Sequence, residues 1–248
     1  MRALVLGVVL MLVGAEQSGP VSVPVVVELF TSEGCSSCPP ADALLSRLAM
    51  ESVPGATVIA LGLHVDYWDE LGWKDPASLP QATARQSAYA RALGNGNRIY
   101  TPQLVVDGRD EMIATDAAAV QSAIAKALKQ PHARVTLAVD IDGSALIARG
   151  RVTDLPPEAA KESVEAILAV TEDDLTNVVK RGENAGRTLH HDAVVRALVQ
   201  MGSLRGAVEL TQRAILEPEW RRDRLHAVMF LQGRKSRRIW GAANAAVR

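Results

Sequence analysis

Apolar and polar residues alternate along this chain with two periods. Residues 23–30 form an apolar run broken only by Pro24 and Glu28, the pattern of a strand buried on both faces. Residues 39–50 place Leu44, Leu45, Leu48 and Ala49 at helical spacing, and residues 57–65 repeat the buried-strand pattern. Residues 81–93 read as a helix rich in Ala and Arg, ended by a Gly-Asn-Gly-Asn run. A short strand is expected at 103–106, the Asp107-Gly108 pair as a hairpin turn, and a return strand at 111–114. Asp116 is placed to cap a helix over 117–129, which Pro131 stops. Beyond Pro131 the helical period fades. Strands are expected at 134–140, 145–152, 163–171, 193–201, 206–215, 225–232 and 238–246, although 192–200 also fits a helix. Alternating strands and helices followed by strands alone predict an α/β layer over 21–130 and a β-rich unit, a β-sandwich, over 132–248.

Composition sharpens this division. The 248 residues are 48% hydrophobic and 22% charged, which excludes a disordered chain. Formal charge is −4 over residues 1–131 and +3 over 132–248, a shift that coincides with the proposed boundary. The net charge of −1 argues against a nucleic-acid partner held by bulk electrostatics. At the N-terminus, Arg2 precedes an apolar run over residues 3–13, and Val13 and Ala15 suit a cleavage site. Residues 1–15 therefore read as a cleavable signal peptide. The run is too short to span a bilayer and no later segment is apolar enough. The expectation is a periplasmic or secreted protein without an integral membrane segment after cleavage.

The candidate chemistry rests on two cysteines, Cys35 and Cys38, where the first strand gives way to the first helix. A thiolate there meets free backbone N–H groups and the positive end of the helix dipole, which lower its pKa. Cys35 is then the attacking sulfur and Cys38 the resolving one. Two other readings remain open. A structural disulfide closing so small a loop would stabilise little, and a closed metal site needs ligands beyond the pair, with His64 and Asp66 as candidates. The segment 64–75, after the second strand, carries His64, Trp68 and Trp73. Its aromatics form either a substrate-facing rim at the carboxyl edge of the sheet or an ordinary loop packed back onto it. His190 and His191 are adjacent, so on a strand they would point to opposite faces, which argues against a metal site there.

Together, Glu28 to Asp42, the 64–75 segment, Tyr100-Thr101-Pro102 and the stretch from Arg181 to Asp192 resemble domain of unknown function 1223, a secreted, thioredoxin-like bacterial family. The resemblance implies an α/β thioredoxin-like domain followed by the β-rich domain. It implies a cis Pro102 which, with Thr101, faces the Cys pair and positions a partner chain. It also places Glu28 near the position of thioredoxin's buried acid, as a residue supporting the cysteines. The family itself has no established activity.

The function expected is thiol–disulfide exchange with an envelope or secreted protein. Cys35 and Cys38 would be catalytic, with Thr101, Pro102, His64, Trp68 and Trp73 binding the partner. No cofactor is expected beyond a Cys35–Cys38 redox disulfide, and no metal in the favoured reading. Two alternatives use the same scaffold: copper or other metal handling by the Cys pair, and a non-enzymatic binding module.

Overall fold

The computed structural model describes residues 22–94 and 96–247. The expected signal peptide lies outside the described residues. The chain runs β1 (Val23–Thr31), α1 (Pro39–Met50), β2 (Ala56–His64), α2 (Pro80–Ala92), β3 (Gln103–Val106), β4 (Asp110–Ile113) and α3 (Ala117–Ala127). It continues as β5 (Arg134–Asp142), β6 (Ala145–Thr153), β7 (Val164–Glu172), β8 (Leu175–Val178), β9 (Thr188–His191), β10 (Val194–Leu204), β11 (Val208–Ile215), β12 (Leu225–Gly233) and β13 (Ile239–Ala246).

The local pattern dictates these elements well. The apolar run of β1 is buried from Val25 to Thr31, as a central strand requires. Proline is tolerated at β1's start and at the first turns of α1 and α2, where a missing N–H costs little. Asp116 accepts a hydrogen bond from the Ala119 N–H at 3.0 Å and caps α3.

The expectation of an α/β thioredoxin-like domain followed by a β-sandwich is not met. The protein is β-rich. One mixed eight-stranded sheet, in the order β13-β12-β7-β10-β2-β1-β3-β4, takes strands from both halves of the sequence. The seam is the edge of β2. Val194 of β10 pairs in parallel with Gly62 of β2, and the Gly62 N–H donates to the Ala193 carbonyl at 2.8 Å. Residues 194–200, which fit a helix by pattern, are therefore strand. Strands β5, β6 and β11 form a separate three-stranded sheet, and β8 and β9 a two-stranded one; the three-stranded sheet packs on the large one. It covers one face of the C-terminal strands, burying Leu146, Leu168, Met229 and Trp240 between the layers. Composition and charge change near Pro131, but backbone pairing does not respect that change: long-range register leaves no local trace in sequence.

Two further cores fix the faces of the N-terminal strands. Val25, Val27 and Leu29 pack under α1 and α3 with Leu45, Leu48 and Ile124. On the opposite face Val26, Phe30 and Leu61 pack under α2 with Tyr89, and the same core continues through Val195 and Phe230 of the C-terminal strands. Glu28 lies on this α2 face, fully buried, where Arg85 and Tyr89 of α2 both bond its carboxylate and Gln232 of β12 accepts from Arg85 at 2.8 Å. Removing the guanidinium would leave a buried carboxylate uncompensated. Arg85→Met is therefore expected to lower unfolding stability by about 3–5 kcal/mol. Chemical denaturation checks it, and a loss well under 1 kcal/mol would contradict the account.

Candidate functional site

β1 ends at Thr31, and residues 32–38 turn the chain into α1. The Cys35 N–H donates to the Ser32 carbonyl at 3.1 Å, and the Cys38 N–H to the Cys35 carbonyl at 3.2 Å. Cys38 is the N-cap of α1, and its carbonyl accepts the N–H groups of Ala41 and Asp42 at 2.8 and 3.1 Å. Cys35 and Cys38 form a disulfide with Cα atoms 5.4 Å apart. Their exposures are 1% and 0%, whereas Ser36 and Ser37 between them are exposed. The sulfurs are thus at the N-terminus of a helix but covered.

A buried polar network runs from the Cys loop into the neighbouring elements, and of its members sequence reasoning places only His64 at the site. It gathers Thr31 from β1, Glu33 from the Cys loop, Asp42 from α1, His64 from β2, Asp75, and His191 from β9, all buried. Thr31 Oγ1 donates to Asp42 Oδ1 at 2.7 Å. His64 Nδ1 sits 2.7 Å from Asp75 Oδ2. The His191 ring meets the His64 ring edge-on at 4.8 Å, with Nε2 3.3 Å from Glu33 Oε1 and Nδ1 3.8 Å from Asp42 Oδ2. Neither ring nitrogen of His191 has a hydrogen-bond partner.

The charges follow from burial and pairing. Burial alone would lower the His64 pKa, but the adjacent Asp75 carboxylate outweighs it and raises the value to about 9. Asp75 shows the reverse: burial pushes up, His64 pulls down harder, and the result is about 2. Asp42 is held above the ordinary carboxylate range by its burial, against the pull of His191, His64 and Thr31. At neutral pH the network therefore contains an imidazolium–carboxylate pair beside a carboxyl group whose pKa burial raises.

A hairpin clasps the Cys loop from outside. β8 and β9 pair with each other, and the loop between them bonds the Cys segment repeatedly. Asn184 Nδ2 donates to the carbonyls of Glu33 and Cys35 at 2.8 and 2.9 Å. Glu183 accepts the Ser36 N–H at 2.9 Å, and Asn177 donates to Glu33 Oε1 at 2.7 Å. Gly182 takes a left-handed conformation (φ +75°), and a Cβ there would make a tight 3.3 Å contact with Trp73 Cβ.

The residues expected at the site divide into two groups. Cys35, Cys38 and His64 come together around the network. Trp73 joins them, its Nε1 donating to Glu33 Oε2 at 2.8 Å. Trp68 lies against the Gly34 backbone, and its Nε1 donates to Thr101 Oγ1 at 2.9 Å, which ties Thr101 to the Cys loop. Both tryptophans are half-buried. The Thr101–Pro102 bond is cis and Pro102 is buried. Glu28 is not brought to this site, because it faces α2 rather than α1. His190 is exposed and bonds Thr176, whereas its neighbour His191 turns inward, as strand alternation requires. Among the described residues no group of three or more His, Cys, Asp and Glu side chains is arranged to hold a metal ion.

Residues 26–232 match the family described as "Protein of unknown function (DUF1223)". The chain belongs to this family. No curated protein matches it. A crystal structure of an Agrobacterium tumefaciens protein is similar at 25% identity and a TM-score of 0.70, covering 93% of this chain and 97% of that one. HBP35 of Porphyromonas gingivalis shares the fold at 15% identity and a TM-score of 0.66, over 92% of this chain and 76% of that one. Both likenesses extend through the C-terminal strands as well as the Cys loop, in keeping with one sheet built from both halves.

The His64–Asp75 pair sets a pH window for stability. A histidine raised from about 6.5 stabilises the fold fully below that value and loses the contribution as pH rises through about 9. Asp75, depressed to about 2, loses its contribution only as acid approaches that value. Melting temperature should therefore fall between pH 6.5 and 9, and His64→Gln should flatten that slope while lowering stability at pH 6. An unchanged slope in the variant would contradict this assignment.

Proposed function

We propose that the protein catalyses thiol–disulfide exchange at Cys35–Cys38 with a thiol- or disulfide-bearing polypeptide of the cell envelope or exterior, where disulfides persist. The observation that carries the proposal is the disulfide at the N-terminus of α1, flanked by Glu33 and Asp42, which belong to a buried network of protonatable groups. A disulfide serving only as a staple has no use for such a network, and closing a loop this short stabilises little.

In the reducing direction for Cys35–Cys38, a partner thiolate attacks Cys35 Sγ. The Cys35–Cys38 bond breaks and Cys38 leaves as a thiolate. A second partner thiolate then attacks the partner's sulfur in the mixed disulfide and frees Cys35. Two partner thiols become one disulfide, and the two electrons reside in the protein's dithiol. The helix N-terminus stabilises each departing thiolate. Asp42, one turn into α1 on the side of Cys38, is the proposed proton donor to Cys38, replenished through His191 and His64. The reverse sequence runs with the same groups. Thr101, Pro102 and the rim formed by Trp68 and Trp73 are the proposed partner contacts. Because both sulfurs are covered, attack requires the Asn184 and Glu183 bonds to the Cys loop to yield.

Cys38→Ser incubated with glutathione disulfide should accumulate a mixed disulfide at Cys35, detected as a mass increase on the peptide containing residue 35. In the otherwise unaltered protein, Asp42→Asn should slow disulfide cleavage by about a hundredfold, the scale of one general acid. A Cys35 that forms no mixed disulfide in the folded Cys38→Ser protein would sink the reading.

A further inference from the structure

At the opposite end of β1 from the Cys loop, two hairpin turns meet. Asp107 and Gly108 turn β3 into β4 with φ of 47° and 62°. A Cβ at Gly108 would fall 2.0 Å from the Arg237 carbonyl oxygen, so only glycine lets the β12–β13 turn approach this closely. The Ile239 N–H donates to the Asp107 carbonyl at 2.8 Å and locks the two turns together. Arg109 and Arg238, the residues that emerge from them, border a cavity of about 500 Å³ that Leu93, Gly108, Asp110 and Lys126 also line.

Three cations thus face one carboxylate, and the one carboxylate is already engaged: Asp110 lies 3.3 Å from the Lys126 ammonium. Two further acids beside it are spent as well: Asp107 bonds the Val26 N–H at 2.8 Å and His132 Nε2 at 3.0 Å, and Glu162 takes the Ser236 N–H at 3.1 Å. The Arg109 guanidinium stacks on Trp240 at 4.9 Å from the ring centre, yet its Nε and Nη2 are buried with no acceptor. Burial and the neighbouring Arg238 both disfavour its charge. The C-termini of α2 and α3 reach the cavity wall, but helix ends contribute only about half a negative charge each. Buried guanidinium N–H groups without an acceptor are costly, and like charges side by side add to the cost. An oxyanion seated between Arg109 and Arg238 offsets the like-charge repulsion, bonded by the guanidinium N–H groups that border the cavity. The volume exceeds that of an isolated phosphate and falls within the range of small-molecule sites.

We propose that this cavity binds a phosphate-type oxyanion carried on a small organic molecule, held by Arg109 and Arg238 with Lys126 at the rim. The site is separate from the cysteines and does not depend on their chemistry. Calorimetric titration of the intact protein with inorganic phosphate and with glycerol 3-phosphate, at fixed ionic strength in chloride, tests it. The expected result is saturable one-to-one binding, with glycerol 3-phosphate at least as tight as phosphate. Binding of phosphate alone would assign the free ion as ligand. Arg109→Gln should weaken binding by about tenfold or more, the scale of a charge-assisted pair. If that variant does not fold, the exposed Arg238→Ala decides, with the same loss expected. No saturation by either anion in the millimolar range, or unchanged affinity in the folded variants, would overturn the proposal.

Discussion

The carboxylate of Glu33 is the point on which the candidate site depends. It is fully buried two residues before Cys35, a costly position for a charge unless every lone pair is used. Its oxygens take the Trp73 indole and the Asn177 amide, its N–H is bonded by Asp75, and its carbonyl is bonded by Asn184. One residue therefore joins three segments far apart in sequence: the Cys loop, the Trp-containing loop after β2, and the β8–β9 hairpin. Satisfying that carboxylate places the hairpin over the disulfide, which in turn buries His191 against His64 and Asp42.

The two faces of β1 carry separate polar networks with different consequences. Glu28 is neutralised by Arg85 and tied to Gln232, so it anchors α2 to strands from both halves of the chain. Its bonds to Arg85 and Tyr89 hold it on the α2 face, away from α1 and the cysteines. The network under α1 is incompletely paired: His191 lacks hydrogen bonds and Asp42 is pushed toward its neutral form. A network that is complete serves the fold. One that is left open, next to a disulfide at a helix N-terminus, suits proton movement.

Much of this was legible from residues alone. The apolar run of β1 and the double proline after Cys38 fix the strand-to-helix junction that holds the cysteines, because both are local constraints. Glu28 was visible as a buried acid, but its face could not be assigned without knowing that α2 supplies Arg85. Asp42 reads locally as an ordinary acid in the first turn of a helix, and only the arrival of β9 buries it. β8 and β9 are too short and polar to register as strands, so His191 had no predicted face toward the cysteines. The Asn184 and Glu183 contacts likewise join residues nearly 150 positions apart. The same kind of long-range pairing, β10 against β2, joins strands of both halves in one eight-stranded sheet.

The central claim is that Cys35 and Cys38 form an exchangeable pair within the folded protein. Equilibrating the intact protein in glutathione redox buffers, quenching with an alkylating reagent and counting modified cysteines by mass tests it most directly. The account predicts one reversible two-electron transition in which both cysteines become alkylated together while the fold persists. A disulfide that stays closed at every glutathione ratio, and is alkylated only after unfolding, would contradict it.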